Sequence, residues 1–267
     1  GTLAVTSCLY MLFGDYLPGV FSHAGMDFER FIYIVVYTSE GLFGTGLKVA
    51  ATYLFMFVIL GSVLRVTKTG DFMIDMANSL LGSKVGGAAK GAMVASAGLG
   101  TIVGSSIGNV LATGTFTIPL MKQTGFEPHV AAAVETNTSE GAQLVPPILG
   151  ASAFIMAQLT GIPYEVIALA AVVPASLYYL SLYSVVHIEA LKHNISGLPE
   201  EEIPSIKKTF TRGWHLLVAP ISLFYLLLVG SYTVTFASLI AIFIAIFFGL
   251  LRKHTRFSIK ELITFLS

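Results

Sequence analysis

Two clusters of oxygen-bearing residues stand out in the chain: G-S-S-I-G-N at Gly104–Asn109, and T-N-T-S-E-G-A-Q-L-V-P-P at Thr136–Pro147. Glycines and hydroxyl residues open the backbone, and opened backbone at membrane depth is tolerated only where it is buried in protein or lines a polar cavity. Freed carbonyls and hydroxyls are hard ligands suited to a small cation such as sodium, and half-helix N-termini suit an anion. Two further chemistries fit the same letters. Gly104-Ser105-Ser106-Ile107-Gly108 matches G-x-S-x-G, the nucleophile elbow of serine hydrolases, which requires a strand-turn-helix context or a basic partner for Ser106. No histidine is placed in the sequence to serve it. A re-entrant loop can also form the filter of a passive channel, but a filter relies on symmetry around one loop, and this chain offers a second break to face the first.

Other chemistries are thinly represented. The six histidines fall near the ends of predicted spans or in loops, so no metal site is expected, and Cys8, the single cysteine, excludes an intrachain disulfide. No G-x-x-x-x-G-K-[ST] occurs, which argues against direct ATP coupling, and nothing points to nucleic acid. No cofactor is expected, and energy would have to come from an ion gradient or a partner.

The elements that must position these residues belong in a bilayer. Hydrophobic residues make up 55% of the chain and charged residues 11%, at zero formal net charge and a mean hydropathy of +0.80. Apolar runs near the roughly 20 residues needed to span are predicted at 48–64, 165–186, 214–230 and 235–251. A fifth lies before Tyr16. The chain opens at Gly1 inside that run and reads as an internal fragment.

Basic residues set an expected topology. Four segments hold every Lys and Arg except Arg30 and Lys48: Arg65, Lys68, Lys84 and Lys90; Lys122; Lys192, Lys207, Lys208 and Arg212; and Arg252, Lys253, Arg256 and Lys260. All four can face the cytoplasm, as the positive-inside rule demands, only if the chain between Lys90 and Lys122 enters the membrane and returns to the same side. A re-entrant helical hairpin is therefore predicted over about 89–122, with its tip at Gly104–Asn109. Residues 126–160 are predicted as one crossing, broken at Gly141, Pro146 and Pro147 and facing that tip. Around these, 1–47 forms a transmembrane helix and an interfacial arm over 31–47, and 48–187 forms the first repeat, with a second interfacial helix near 71–81. A cytoplasmic loop follows at 188–212, and 213–267 begins a second repeat.

The run G-S-S-I-G-N-V-L-A-T-G-T-F-T-I-P-L-M-K-Q-T-G-F, followed by G-A-Q-L-V-P-P-I-L-G-A-S-A-F-I-M-A, closely resembles the large membrane (DctM-like) permease subunit of TRAP, tripartite ATP-independent periplasmic, transporters. It is most similar to the fused permeases that carry the small and large subunits on one chain and work with a TAXI-type binding protein. The resemblance runs from about Tyr16 onward. It implies an all-α polytopic membrane protein of the inverted-repeat, elevator type, in the cytoplasmic (inner) membrane of a bacterium or archaeon. It also implies a symporter that takes a carboxylate solute, such as a C4-dicarboxylate, from an extracytoplasmic TAXI-type substrate-binding protein and couples import to sodium, with the small membrane subunit fused upstream and membrane lipid around the spans. Carried over, it assigns the hairpin tip to Gly104, Ser105, Ser106 and Asn109, and the unwound crossing to Thr138, Ser139, Glu140, Gly141, Gln143, Pro146 and Pro147. Ser105, Ser106, Asn109 and Ser139 become the sodium-ligand side chains. Glu140 departs from the family pattern, which has a small residue there.

Plainer roles compete. Gly98 and Gly100 serve close helix packing, Asn109 caps the second hairpin helix as readily as it binds an ion, and Pro146 and Pro147 make the kink. Glu135, costly in lipid, is expected to be structural or to face water.

Overall fold

The computed structural model describes residues 1–39, 41–252, Thr255 and Phe257. Glu40 of the predicted arm and Lys253, Arg256 and Lys260 of the last basic segment lie outside the described residues. Among the described residues every regular element is helical.

The first compact unit is Gly1–Ala51. It contains α1 (Thr2–Phe13), α2 (Phe28–Ile32), which runs on as a π-helical turn over Tyr33–Tyr37, and α3 (Thr45–Val49). His23 ties the loop after α1 back to it, its ring nitrogens lying 2.9 Å from the Tyr10 carbonyl and 3.1 Å from the Ala24 carbonyl. Between Tyr37 and Thr45 the helical path is interrupted, in keeping with the glycines at 41 and 44.

The second unit, Thr52–Ser267, holds α4 (Phe55–Val66), α5 (Thr69–Leu81), α6 (Gly87–Val103), α7 (Ser106–Gln123), α8 (Pro128–Gly141), α9 (Ala151–Thr160), α10 (Tyr164–Lys192), α11 (Ile206–Gly213), α12 (Val218–Leu228) and α13 (Val234–Leu251). Four helical stretches are long and apolar enough to cross a bilayer: Thr45–Val66, Tyr164–Lys192, Glu200–Leu228 and Val234–Leu251. Each overlaps one of the four runs read from hydropathy, though the third begins at Glu200, ahead of the run at 214–230 and within the stretch expected to be a loop. Leu169, Val173, Leu177 and Leu180 on α10 are each more than half exposed, an apolar surface that suits lipid and not water.

Local chemistry sets the ends of the elements around the site. Gly104 stops α6 in a left-handed conformation (φ 59°), its N–H bonded to the Gly100 carbonyl. One residue later Ser105 starts α7, its hydroxyl accepting from the Gly108 N–H at 3.3 Å. Pro128 occupies the first turn of α8, where the missing N–H has no cost. Below the tip, α6, α7, α8 and α10 close on Ala88, Ala89, Ala92, Met121, Ala131, Val134, Val186 and Ala190, whose small side chains let the helices approach closely.

Candidate cation and solute site

The tip of the α6–α7 pair sits against the break that follows α8. After Gly141 the chain makes a single 3-10 turn over Ala142–Leu144, then an irregular stretch through the cis Pro146–Pro147 peptide before α9 resumes. A Cβ on Gly104 would stand 2.5 Å from the Leu149 carbonyl oxygen and 2.7 Å from the Ile148 side chain; one on Gly100 would stand 2.2 Å from the Ala142 Cβ. These two glycines are where the pair and the broken helix touch, so Gly100 does serve packing.

The backbone opened by the break is held by phenols from α10. Tyr178 donates to the Asn137 carbonyl at 2.7 Å and Tyr179 to the Thr138 carbonyl at 2.8 Å. Tyr164 donates to the Pro147 carbonyl at 2.8 Å, with the Ile148 carbonyl also in reach. The Tyr164 hydroxyl thus replaces N–H groups that a continuous helix would supply to the unwound stretch, and Tyr178 and Tyr179 brace the last turn of α8. No spacing or motif in the chain marks these partners.

Side chains converge one turn below the tip. Asn109 is fully buried, and its Nδ2 donates to the Ser96 carbonyl at 3.1 Å and the Ser96 hydroxyl at 2.7 Å, with the Ser139 hydroxyl at 3.3 Å. The cap of α7 is Ser105, which corrects the capping role considered for Asn109: the helix starts four residues earlier than that role requires, so Asn109 lies within it on the buried face. Its Oδ1 is buried with no hydrogen-bond partner. Flipping the amide would place that oxygen against the Ser96 carbonyl, so the orientation is fixed. Behind Ser139 stands Glu135, whose carboxylate accepts from Thr113 and Ser139 on Oε1 and from Thr117 on Oε2 at 2.6 Å. Ser96, Thr113, Thr117 and Glu135 were not singled out as ligands from the sequence.

The remaining predicted residues spread around this centre. Thr138 is buried but turns its hydroxyl back onto the Val134 carbonyl of its own helix. Glu140 is exposed, and the Gln143 amide donates to it at 3.0 Å. Gly141 packs against Tyr178, with room for no Cβ. Ser106 lies in the first turn of α7, partly exposed, and Pro146 and Pro147 are buried. Ser105 and Gly108 line a cavity of about 490 Å³ between α4, α5 and the α6–α7 pair, whose other polar walls include Ser62, Arg65, Asp71 and Thr115. Gly104–Gly108 joins two helices, so the strand-turn-helix that a nucleophile elbow needs is absent at this site.

Residues 2–267 match the family described as "Tripartite ATP-independent periplasmic transporter, DctM component". The chain is also 22% identical over 198 residues to a "Putative TRAP transporter large permease protein" of Haemophilus influenzae, covering 74% of this chain and 46% of that protein, so it spans about half the length of this curated relative. With the match running along essentially the whole chain and an all-helical fold with four apolar spans, the chain belongs to the DctM family of tripartite ATP-independent periplasmic transporters, a family of transporter components and not of enzymes.

Proposed function

We propose that the chain is the permease part of a secondary active TRAP transporter that imports an organic acid across the cytoplasmic membrane. Import is driven by the sodium gradient, and the solute arrives from an extracytoplasmic TAXI-type binding protein, with the small membrane subunit fused upstream. The observation that carries this reading is the buried Asn109 carbonyl oxygen, held by its own amide hydrogens in a pocket of hydroxyls where a helix pair meets a broken helix. An oxygen left unpartnered inside a membrane protein is costly unless a cation takes it. The solute carboxylate lodges in the cavity beside Ser105, on the side where the N-terminus of α7 favours an anion and away from Asp71 on the α5 wall. The α6–α7 pair and the broken helix then move as one transport body in an elevator step.

The test is uptake by the intact protein in proteoliposomes, with a panel of dicarboxylates, amino acids and sugar acids, with and without an inward sodium gradient and the binding protein. Uptake should require both, and Asn109→Ala should raise the sodium concentration needed. Downhill flux indifferent to sodium and to the binding protein refutes the reading in favour of a channel. Uptake driven by a proton gradient alone refutes the choice of ion.

A further inference from the structure

Glu135 is a buried carboxylate without a base. It is 1% exposed, and no Lys, Arg or His nitrogen among the described residues comes within 4.0 Å of it. Such a charge in a membrane protein is expensive and ordinarily has a counter-charge or a task. Its place is made deliberately: Gly114 on α7 leaves space that a Cβ would take up at 3.3 Å from the Glu135 Cγ. Thr113 and Thr117, one turn apart on α7, present their hydroxyls to its two oxygens.

The direction of the hydrogen bonds carries the argument. A carboxylate can only accept, so Ser139 must spend its single proton on Glu135, at 3.3 Å. The Ser139 oxygen is then an acceptor toward everything else, and it meets the Asn109 amide at 3.3 Å and the Ser96 hydroxyl at 3.4 Å. The Asn109 amide also donates to the Ser96 hydroxyl, which frees the Ser96 proton for Ser139. The hydroxyl protons of Ser96 and Ser139 therefore run toward Glu135, while the Asn109 amide serves the Ser96 carbonyl as well as the two hydroxyl oxygens. The NH₂ end of Asn109 is drawn inward and its carbonyl oxygen is left over. Were position 135 unable to act as a pure acceptor, Ser139 could turn its proton toward Ser96 or Asn109, and the amide would be left with the Ser96 carbonyl as its one fixed acceptor.

We infer that Glu135 is the positioning and charge-balancing residue of the cation site: as terminal acceptor of the Asn109–Ser96–Ser139 relay it holds the Asn109 carbonyl ready for a monovalent cation, and its charge offsets the bound ion. Glu135 is assigned no ligand role, because the Thr113, Thr117 and Ser139 hydroxyls already occupy both of its oxygens. The inference rests on the cation-coupled reading above.

Sodium binding is read on the intact purified protein as the rise in melting temperature with sodium chloride at ionic strength held constant with choline chloride, and sodium half-saturation of uptake is measured in proteoliposomes. Glu135→Gln keeps the shape and an acceptor oxygen but removes the charge. It should raise half-saturating sodium about tenfold or more, the scale of removing one unit charge from a neighbour at an effective dielectric of about 20, with the maximal rate held within about twofold. Ser139→Ala, which breaks the relay and keeps the carboxylate, should shift half-saturation the same way; it carries the test if Glu135→Gln does not fold. Val134→Ala loosens the packing of the same helix without touching the relay and should lower the sodium-free melting temperature while leaving half-saturation unchanged. Half-saturation equal to wild type in Glu135→Gln and Ser139→Ala overturns the inference, as does an equal shift in Val134→Ala, which would make the effect one of packing. A wild-type protein indifferent to sodium in both assays overturns the coupling reading, and the inference with it.

Discussion

Substituting Gly100 by alanine sets two effects of opposite sign against each other. Gly100 is near the end of α6, and replacing a helical glycine with alanine ordinarily stabilises by about 0.8–1.0 kcal/mol. Here the added Cβ would lie 2.2 Å from the Ala142 Cβ and 2.7 Å from its Cα. Carbon atoms rest at about 3.5–4.0 Å, so the helix pair and the 3-10 turn must separate by more than about 1 Å. Overpacking of this kind costs about 1–3 kcal/mol. The backbone atom cannot swing aside as a side chain would, which places Gly100→Ala toward the upper end and the net change at about 1–2 kcal/mol of destabilisation. Ser96 lies one turn below Gly100 on the same face, and its 3.4 Å link to Ser139 has no slack, so the separation should also weaken sodium binding. Equilibrium unfolding of the intact protein in mixed micelles, with Ala142→Gly as the second arm of a double-mutant cycle, measures both. Ala142→Gly removes the nearer of the two clashing atoms, so the double variant should recover part of the loss and the cycle should return a coupling of about 1 kcal/mol or more. A single Gly100→Ala variant that is more stable than wild type, as helix propensity alone dictates, refutes the contact argument.

Two further outcomes follow from the same structure. Tyr178→Phe and Tyr179→Phe each remove one hydroxyl from a carbonyl at the end of α8 and should cost about 0.5–1.5 kcal/mol in the same unfolding assay; Tyr179, the less exposed hydrogen bond, should cost more. On α5, outside the four apolar spans, burial pushes the Asp75 carboxyl above its ordinary value of 3.8, partly relieved by Arg212 and reinforced by Asp71. The folded state therefore holds this proton more tightly than the unfolded chain, so Asp75 contributes stability below pH 3.8 that is lost as pH rises through the raised value. Asp75→Asn should flatten the melting-temperature profile over that window, and an unchanged profile contradicts the assignment.

The sequence made the spans legible because hydropathy over about twenty residues is a sum that local detail barely disturbs. The joint at Gly104–Ser105 was legible for a different reason: glycine and serine there end one helix and cap the next. Glu135 and Glu140 could have been told apart by period alone. Five residues place them on opposite sides of α8, one among the hydroxyls of α7 and the other exposed. What no period could supply is the crossing of α7 over α8 that brings Thr113 and Thr117 to Glu135. Ser96, inside a run of alanines and glycines, looks like packing until Asn109 is seen to reach it. The role of Asn109 depended on whether α7 was capped at Ser105 or at Asn109 itself, because glycine, serine and asparagine through this stretch all suit a helix start.

The phenols of α10 bear on how the protein is made. In the proposed reading the broken helix lies at membrane depth, and the Pro147 carbonyl, beyond the end of α8, takes its hydrogen bond from Tyr164, while Tyr178 and Tyr179 brace the last turn of α8; all three tyrosines follow it in the chain. During synthesis residues 126–160 emerge before any of those tyrosines, and in hydrocarbon the Pro147 carbonyl would be left unsatisfied. The broken segment is therefore unfit to rest alone in lipid. It must wait in the translocation machinery or at the interface until α10 arrives, so the two enter the bilayer as one insertion unit.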